Sequence, residues 1–243
     1  MRRLPLMILG LAVLPDLAAA GVPTLPVFDA ARFARPVAND YFPMETGTTR
    51  RLTGTIAADD GSSLPYLRVR TITGPGPVIT GVQTIAILDE EFEDGRIIER
   101  SRDYYATDDA GAVWYFGEDV TEFAYDHAGV LSDEHPGAEW KAGVNGASPG
   151  IVITAGPISA GPVFKAYAPG ENEMEYNLAA GTALSLTVPA GDYTDVVRVL
   201  TQSTADPALR DYSWWARGVG LIRVEEDLSP KLDAPKVIAA LTK

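Results

Sequence analysis

The chain has 243 residues, of which 46% are apolar and 22% charged, with 33 acidic and 20 basic side chains, two histidines and no cysteine. This composition is typical of a globular protein, and it excludes a disordered chain, a collagen-like repeat and a disulfide scaffold. The net charge of −13 argues against nucleic acid as a partner.

Residues 1–20 have the pattern of a secretory signal peptide. Two arginines near the start precede an apolar run that ends at Pro15, and three alanines at 18–20 form a small-residue cleavage site before Gly21. The run is shorter than the ~20 apolar residues of a membrane-spanning helix, and no later stretch reaches that length. Without a cysteine, no lipid anchor of the bacterial lipoprotein type can form. We predict a periplasmic or secreted protein with no membrane span.

The rest of the chain divides into a lead-in and one domain. Residues 21–40 are rich in proline and alanine without a clear period, which predicts an extended segment lying across the domain. From residue 41 to 228, turn sequences with glycine and proline recur at short intervals between β-branched and aromatic runs. This pattern predicts a single domain, 41–228, that is all-β and mainly antiparallel.

Two segments show the strand pattern most clearly. Residues 64–73 alternate, with Arg68 and Arg70 on the face opposite the apolar side chains. The dipeptide Asp94-Gly95 favours a two-residue type I′ hairpin, which sets the register of the strands on either side of it.

Counted without interruption from that hairpin, the register places Glu91 opposite Ile98 and Glu90 opposite Glu99. Asp103 follows further along the same face as Glu99. Two opposed carboxylates repel unless solvent, a base or a bound cation lies beside them. Glu90, Glu99 and Asp103 are therefore candidate ligands of a cation.

The acidic residues are concentrated in one window. Residues 89–134 hold fifteen acids and three arginines, a net charge of −12. A preference for a cation or a basic partner is thus expected to be local to this window, and a solvated surface is the alternative. No calcium-loop spacing occurs in it, so calcium as a cofactor has no support from a motif.

The two histidines lie in this window among acidic neighbours. His127 follows Asp126, and His135 follows Asp133 and Glu134, which is the mixture of side chains found in transition-metal sites. Their spacing matches no helical or strand-based ligand motif. His127 and His135 are therefore metal-ligand candidates or exposed turn residues.

A nucleophile-elbow pattern occurs once, at residues 146–150, around Ser148. Pro149 follows the serine, the next residues form a strand pattern instead of a helix, and both histidines precede the serine. These features exclude a serine hydrolase of that fold. A carboxylate-based hydrolase remains an alternative, and no catalytic residue is assigned.

In the strand-like part of the domain, aromatic residues stand at consecutive positions at Tyr104-Tyr105, Trp114-Tyr115-Phe116 and Trp214-Trp215. Consecutive residues of a strand point to opposite faces, so both faces of the sheet carry apolar rings here. One face is then covered by the lead-in, by the C-terminal segment, by a partner or by a ligand. We predict that Tyr105, Trp114 and Trp214 line a groove for such a ligand.

The C-terminal tail, residues 229–243, is predicted to contain a short helix over residues 233–241. Val237, Ile238 and Leu241 would lie on one side of that helix.

Several motifs occur in an order that resembles a known family. They are Tyr41-Phe42-Pro43, Trp114 to Asp119, Gly143 to Ile151, Val188-Pro189-Ala190-Gly191 and Gly218-Val219-Gly220-Leu221. Together they resemble an uncharacterised family of exported bacterial β-rich proteins, the TapB-like proteins, and are distantly similar to the half-barrels of periplasmic lipoprotein carriers. The resemblance implies a strongly curved antiparallel sheet, a half-barrel or open barrel, and implies no activity. Arg217 departs from the proline usual before the last motif.

From these observations we predict an exported, non-catalytic binding protein. Its partner would be a small apolar or amphipathic molecule, or another exported protein, held on the concave aromatic side of the sheet. The alternatives are a cation-binding protein that uses residues 89–134 and the carboxylate-based hydrolase.

Overall fold

The computed structural model describes residues 24–58, 60–158, 163–164, 174–208, 210–228 and 234–243. The predicted signal peptide, residues 1–20, lies outside the described residues. Within them, the helical structure is a single 3-10 turn, Ala30–Phe33. No helix in this part of the chain is long and apolar enough to cross a membrane.

Fourteen strands form one antiparallel sheet, as the turn pattern predicts. The strands are β1 (Thr49–Ala57), β2 (Ser63–Ile79), β3 (Val82–Glu93), β4 (Arg96–Thr107), β5 (Val113–Tyr125), β6 (Leu131–Pro136), β7 (Trp140–Lys141), β8 (Gly150–Ile153), β9 (Val163–Phe164), β10 (Glu175–Val188), β11 (Gly191–Ser203), β12 (Arg210–Ala216), β13 (Gly220–Leu228) and β14 (Val237–Leu241).

The sheet consists of two meanders joined in the middle. Strands β1 to β6 follow one another as neighbours, as do β9 to β14, and the join is the pairing of β1 with β14. Strands β7 and β8 pair with β5. The sheet does not close, since the described parts of β8 and β10 share no ladder. The Asn177 side chain of β10 crosses this gap and donates to the Val152 carbonyl of β8 at 3.0 Å.

The predicted C-terminal helix over residues 233–241 is wrong, because Val237–Leu241 forms strand β14. This strand pairs with β1 on one side and β13 on the other. Val237, Ala239 and Leu241 are buried in strand alternation, with Ile238 between them less buried. This one segment supplies backbone hydrogen bonds to two open strand edges. The free energy of these hydrogen bonds outweighs the local helix preference of the segment.

The hairpin at Asp94-Gly95 forms as predicted. Both residues have positive φ, 47° and 77°, as a type I′ turn requires. Glu93 pairs with Arg96 directly beside the turn.

The register beyond that turn differs from the prediction. A β-bulge at Ile98 adds one residue to β4, so that Glu91 pairs with Glu99 and Glu90 pairs with Arg100. The predicted opposition of Glu90 and Glu99 is therefore wrong. A single inserted residue turns every following side chain to the other face of the strand.

The lead-in covers the outer face of β5. Phe28 and Phe33 lie with their ring centroids 5.5 to 6.0 Å from those of Trp114 and Phe116. Arg32 donates to Asp108, a fully buried carboxylate, at 2.6 Å. These contacts close this aromatic surface with the protein's own residues.

Arg217, in the turn between β12 and β13, binds the end of the lead-in to the second meander. The Arg217 guanidinium forms ion pairs with Asp195 and Asp40 and donates to the Tyr41 hydroxyl. The next residue, Phe42, is buried and reaches the inner side of the sheet.

Replacing Gly54 with alanine is expected to lower the free energy of unfolding by about 2 to 3 kcal/mol. A Cβ atom there would lie 1.7 Å from the Ile238 carbonyl oxygen, where β1 meets β14. Chemical denaturation measures the loss. Thr55→Ala, an exposed change on the same strand, is the control. A stability equal to wild type would contradict the close approach of the two strands.

Candidate functional site

An open cavity of about 280 Å³ lies inside the curved sheet, between the two meanders. Its walls come from β2, β4, β5 and β8 on one side and from β10 to β13 on the other, with Phe42, shortly after the lead-in, between them.

One wall is a row of aromatic rings in contact. Tyr105 stacks on Tyr115 with ring centroids 4.7 Å apart, and Phe42 stacks on Trp215 at 4.9 Å. Phe42 also lies 4.9 Å from Tyr105, which joins the two stacks. The row thus runs from β5 through β4 to β12 and bridges both meanders.

The structure brings one of the three predicted aromatic residues to this cavity. Tyr105 lines it. Trp114 is fully buried on the opposite face of β5, where its indole Nε1 donates to Asp108 at 3.0 Å. Trp214 lies outside the lining, beside the Arg223 guanidinium, and its neighbour Trp215 lines the cavity instead.

Tyr115, Trp215 and Phe42 were not predicted from the sequence. Tyr115 and Trp215 each stand beside a predicted residue, so the aromatic signal marked the correct segments. Alternation alone cannot say which of two adjacent rings points inward.

The second wall, which adjoins the rings, carries charged groups held by Asp89. This carboxylate is 2% exposed and accepts from Arg68 Nε at 3.0 Å and from Arg70 Nη1 at 2.8 Å. Arg68 Nη1 also donates to Glu226 of β13 at 2.7 Å. This ion pair links the first meander to the second across the interior.

Acidic groups outnumber the basic ones in the lining. Arg68 and Arg70 are its two basic residues, and its acidic residues are Glu99, Asp103, Glu118, Asp211 and Glu226. The Glu99 carboxylate has no hydrogen bond or ion pair to another described residue, although the Arg68 charge acts on it. The cavity therefore has a surplus of negative charge when these carboxyls are ionised.

Burial, together with neighbouring carboxylates, raises the pKa of three carboxyl groups in the lining. Burial, and then the nearby Glu91 carboxylate, raises the pKa of Glu99 to about 7. Burial and the Asp103 carboxylate raise the pKa of Glu118 to about 8. Burial also raises the pKa of Glu226 to about 7, against the opposing effect of Arg68. A substantial fraction of these three carboxyl groups is therefore protonated near neutral pH.

One donor in this wall has no well-aligned acceptor. Arg70 Nη2 is buried and has no well-aligned hydrogen bond to a described residue, although the Tyr105 hydroxyl lies within reach of this guanidinium. The guanidinium carbon lies 5.6 Å from the centroid of Phe42 and 5.7 Å from that of Tyr105. A buried donor without a partner costs about 1 to 3 kcal/mol, so an acceptor from outside the protein would be favoured here.

The predicted cation ligands do not form one group. Glu99 and Asp103 both line the cavity, but Glu90 lies on the other face of β3 and pairs with Arg100 at 3.0 Å. Among the described residues, no set of three or more His, Asp or Glu side chains is arranged to hold a metal ion.

The histidines lie away from the cavity, at the far end of the first meander. His127 is exposed in the turn between β5 and β6. His135 is on β6, 3.4 Å from both Glu122 and Asp133. The structure does not bring His127 and His135 to the same site as Glu99.

No protein-family model matches the chain, and no curated protein matches it. A solved structure described as "a putative lipoprotein from Parabacteroides distasonis" is similar over 85% of this chain and 99% of its own, with 14% identity and a TM-score of 0.44. A likeness at this level carries no argument about function. The resemblance to TapB-like proteins stays a prediction.

The thermal midpoint is expected to fall as the pH rises from about 5.5 to about 8.5. The raised carboxyls keep protons in the folded state that the unfolded chain releases above its ordinary pKa of about 4.5, so stability decreases through this window. Glu99→Gln is expected to flatten the decline in calorimetric melting curves. The exposed change Glu134→Gln should leave it as in wild type, and a midpoint that rises with pH would contradict the charge surplus.

Proposed function

We propose that the protein is an exported, non-catalytic binding protein that holds a small molecule in the cavity of its curved sheet. The observation that carries this proposal is the cavity itself, with stacked rings on one wall and an unpartnered buried donor on the other. Concave sites with apolar walls and a few placed polar groups are typical of small-molecule binding.

The two walls favour an amphipathic ligand over a purely apolar one. The row of Tyr115, Tyr105, Phe42 and Trp215 offers flat apolar surface, and the adjoining wall offers charged groups. A purely apolar molecule would cover these charges without compensating them, which costs free energy.

The lead-in supports this proposal by its position. Its rings Phe28 and Phe33 lie on the outer face of β5, so these rings do not occupy the cavity. Phe42 does enter it, as part of the wall. The apolar outer face is thus covered by the chain, while the inner cavity remains open for a ligand.

Export is the second part of the proposal, and it rests on the sequence. The basic start, the short apolar run and the alanines at 18–20 are the pattern that signal peptidases recognise. The mature protein would then work in the periplasm or outside the cell.

Phenylethanediol, a small neutral molecule with one ring and two hydroxyls, is expected to shift the indole N–H resonance of Trp215 in a saturable way. The reason is that Trp215 lines the cavity and Trp114 is buried away from it. A nitrogen-proton NMR titration measures the shift. The Trp114 resonance should stay in place.

Two single changes assign the resonance and act as matched controls. Trp215→Phe should remove the responding signal, and Trp214→Phe, on the neighbouring residue outside the lining, should retain it. A response confined to Trp114 or Trp214 would place binding elsewhere and contradict the proposed site.

Expression of the full chain in a Gram-negative bacterial host is expected to give a periplasmic protein that starts at Gly21. Ala20→Gln should block this cleavage, because only a small residue is accepted there, whereas Ala19→Gln should not. Mass spectrometry of the periplasmic fraction decides between the forms. Recovery of the uncleaved wild-type chain in the cytoplasm would overturn the export proposal.

A further inference from the structure

The geometry points to an organic cation as the occupant of the cavity, namely a protonated amine or guanidinium on a ring or other apolar body that also carries a hydrogen-bond acceptor. This inference rests on the proposed function and specifies its ligand. Three separate features of the walls support it.

The first feature is the distribution of charge. The positive charge of Arg68 is shared among Asp89, Glu91 and Glu226, at 3.0, 3.5 and 2.7 Å. Glu99 is left without a basic partner in contact, and Asp211 accepts only from the Asp227 backbone at 2.8 Å among the described contacts. A ligand cation would supply the missing compensation.

The second feature is the aromatic wall. Ring faces attract cations through their quadrupole, and the attraction is stronger where water is excluded. The protein uses it at this place already, because Arg70 lies over Phe42 and Tyr105. Trp215 and Tyr115 extend the same surface into the cavity.

The third feature is Arg70 Nη2, which is buried and unpartnered beside the cavity. This N–H group requires an oxygen acceptor, which neither a bare metal ion nor a plain alkylammonium ion has. A ligand with a hydroxyl, ether or carbonyl oxygen in addition to its cationic group satisfies both walls at once.

A hard metal ion fits this site less well. Calcium takes six to eight oxygen ligands, and an aromatic wall offers it none apart from the tyrosine hydroxyls. The described residues contain no set of three ligands arranged for a metal. An organic cation uses the carboxylates and the rings together.

The test compares phenylglycinol with phenylethanediol, two molecules that differ only in an ammonium in place of a hydroxyl. Each is titrated into the isotopically labelled full mature chain at about pH 8 and low salt, and the Trp215 resonance is followed. We expect phenylglycinol to bind about tenfold more tightly than the diol. Added salt is expected to reduce this difference in affinity.

Glu99→Gln should lower the affinity for phenylglycinol by about threefold to tenfold and leave the affinity for the diol unchanged. The reason is that the substitution removes a charge without changing the shape of the side chain. The matched control is Glu134→Gln on the exposed strand β6, which should change neither affinity. A circular dichroism spectrum of each variant verifies the fold.

The outcomes separate this inference from the proposed function. Equal affinity of the two molecules at Trp215 overturns the cation inference and leaves the cavity as a binding site. Absence of any response to either molecule contradicts the proposed site. A Trp215 shift with calcium chloride but not with phenylglycinol overturns the inference in favour of an inorganic cation.

Discussion

The salt bridges from Arg68 and Arg70 to Asp89 determine what the inside of the sheet can contain. Asp89 is 2% exposed, and removing one partner of such a buried pair costs about 3 to 5 kcal/mol. Removal of one of these charges would leave its partner buried and uncompensated, so this part of the inner face keeps its charged groups together. The aromatic rings adjoin these charged groups, with Arg70 over Phe42 and Tyr105, and the cavity is the space that rings and charged groups line together.

Local chemistry predicted the strands and the Asp94-Gly95 hairpin, because a two-residue turn has few solutions. The bulge at Ile98 could not be foreseen, since neither glycine nor proline marks it. Its effect was to bring Glu91 instead of Glu90 to Glu99. The predicted repulsion between two carboxylates thus exists, but it acts between Glu91 and Glu99, on the inner face of the sheet.

The position of the candidate site could also be predicted only in part from the sequence. Alternation separated Arg68 and Arg70 from their apolar neighbours, but it does not tell which face is inside. The basic face is the inner one here, because Asp89 lies beside it. Strand β14 was missed for a related reason: the two edges that it satisfies come from distant parts of the chain.

The pairing of β1 with β14 has a consequence for biosynthesis. Thr242 donates to the Arg51 carbonyl across a separation of 191 residues, and β14 follows every other described strand in the chain. During translation the first meander must wait with an unpaired edge until the last segment emerges. Such late, long-range pairing is slow, and until β14 emerges the free edge of β1 is open to pairing with strands of other chains.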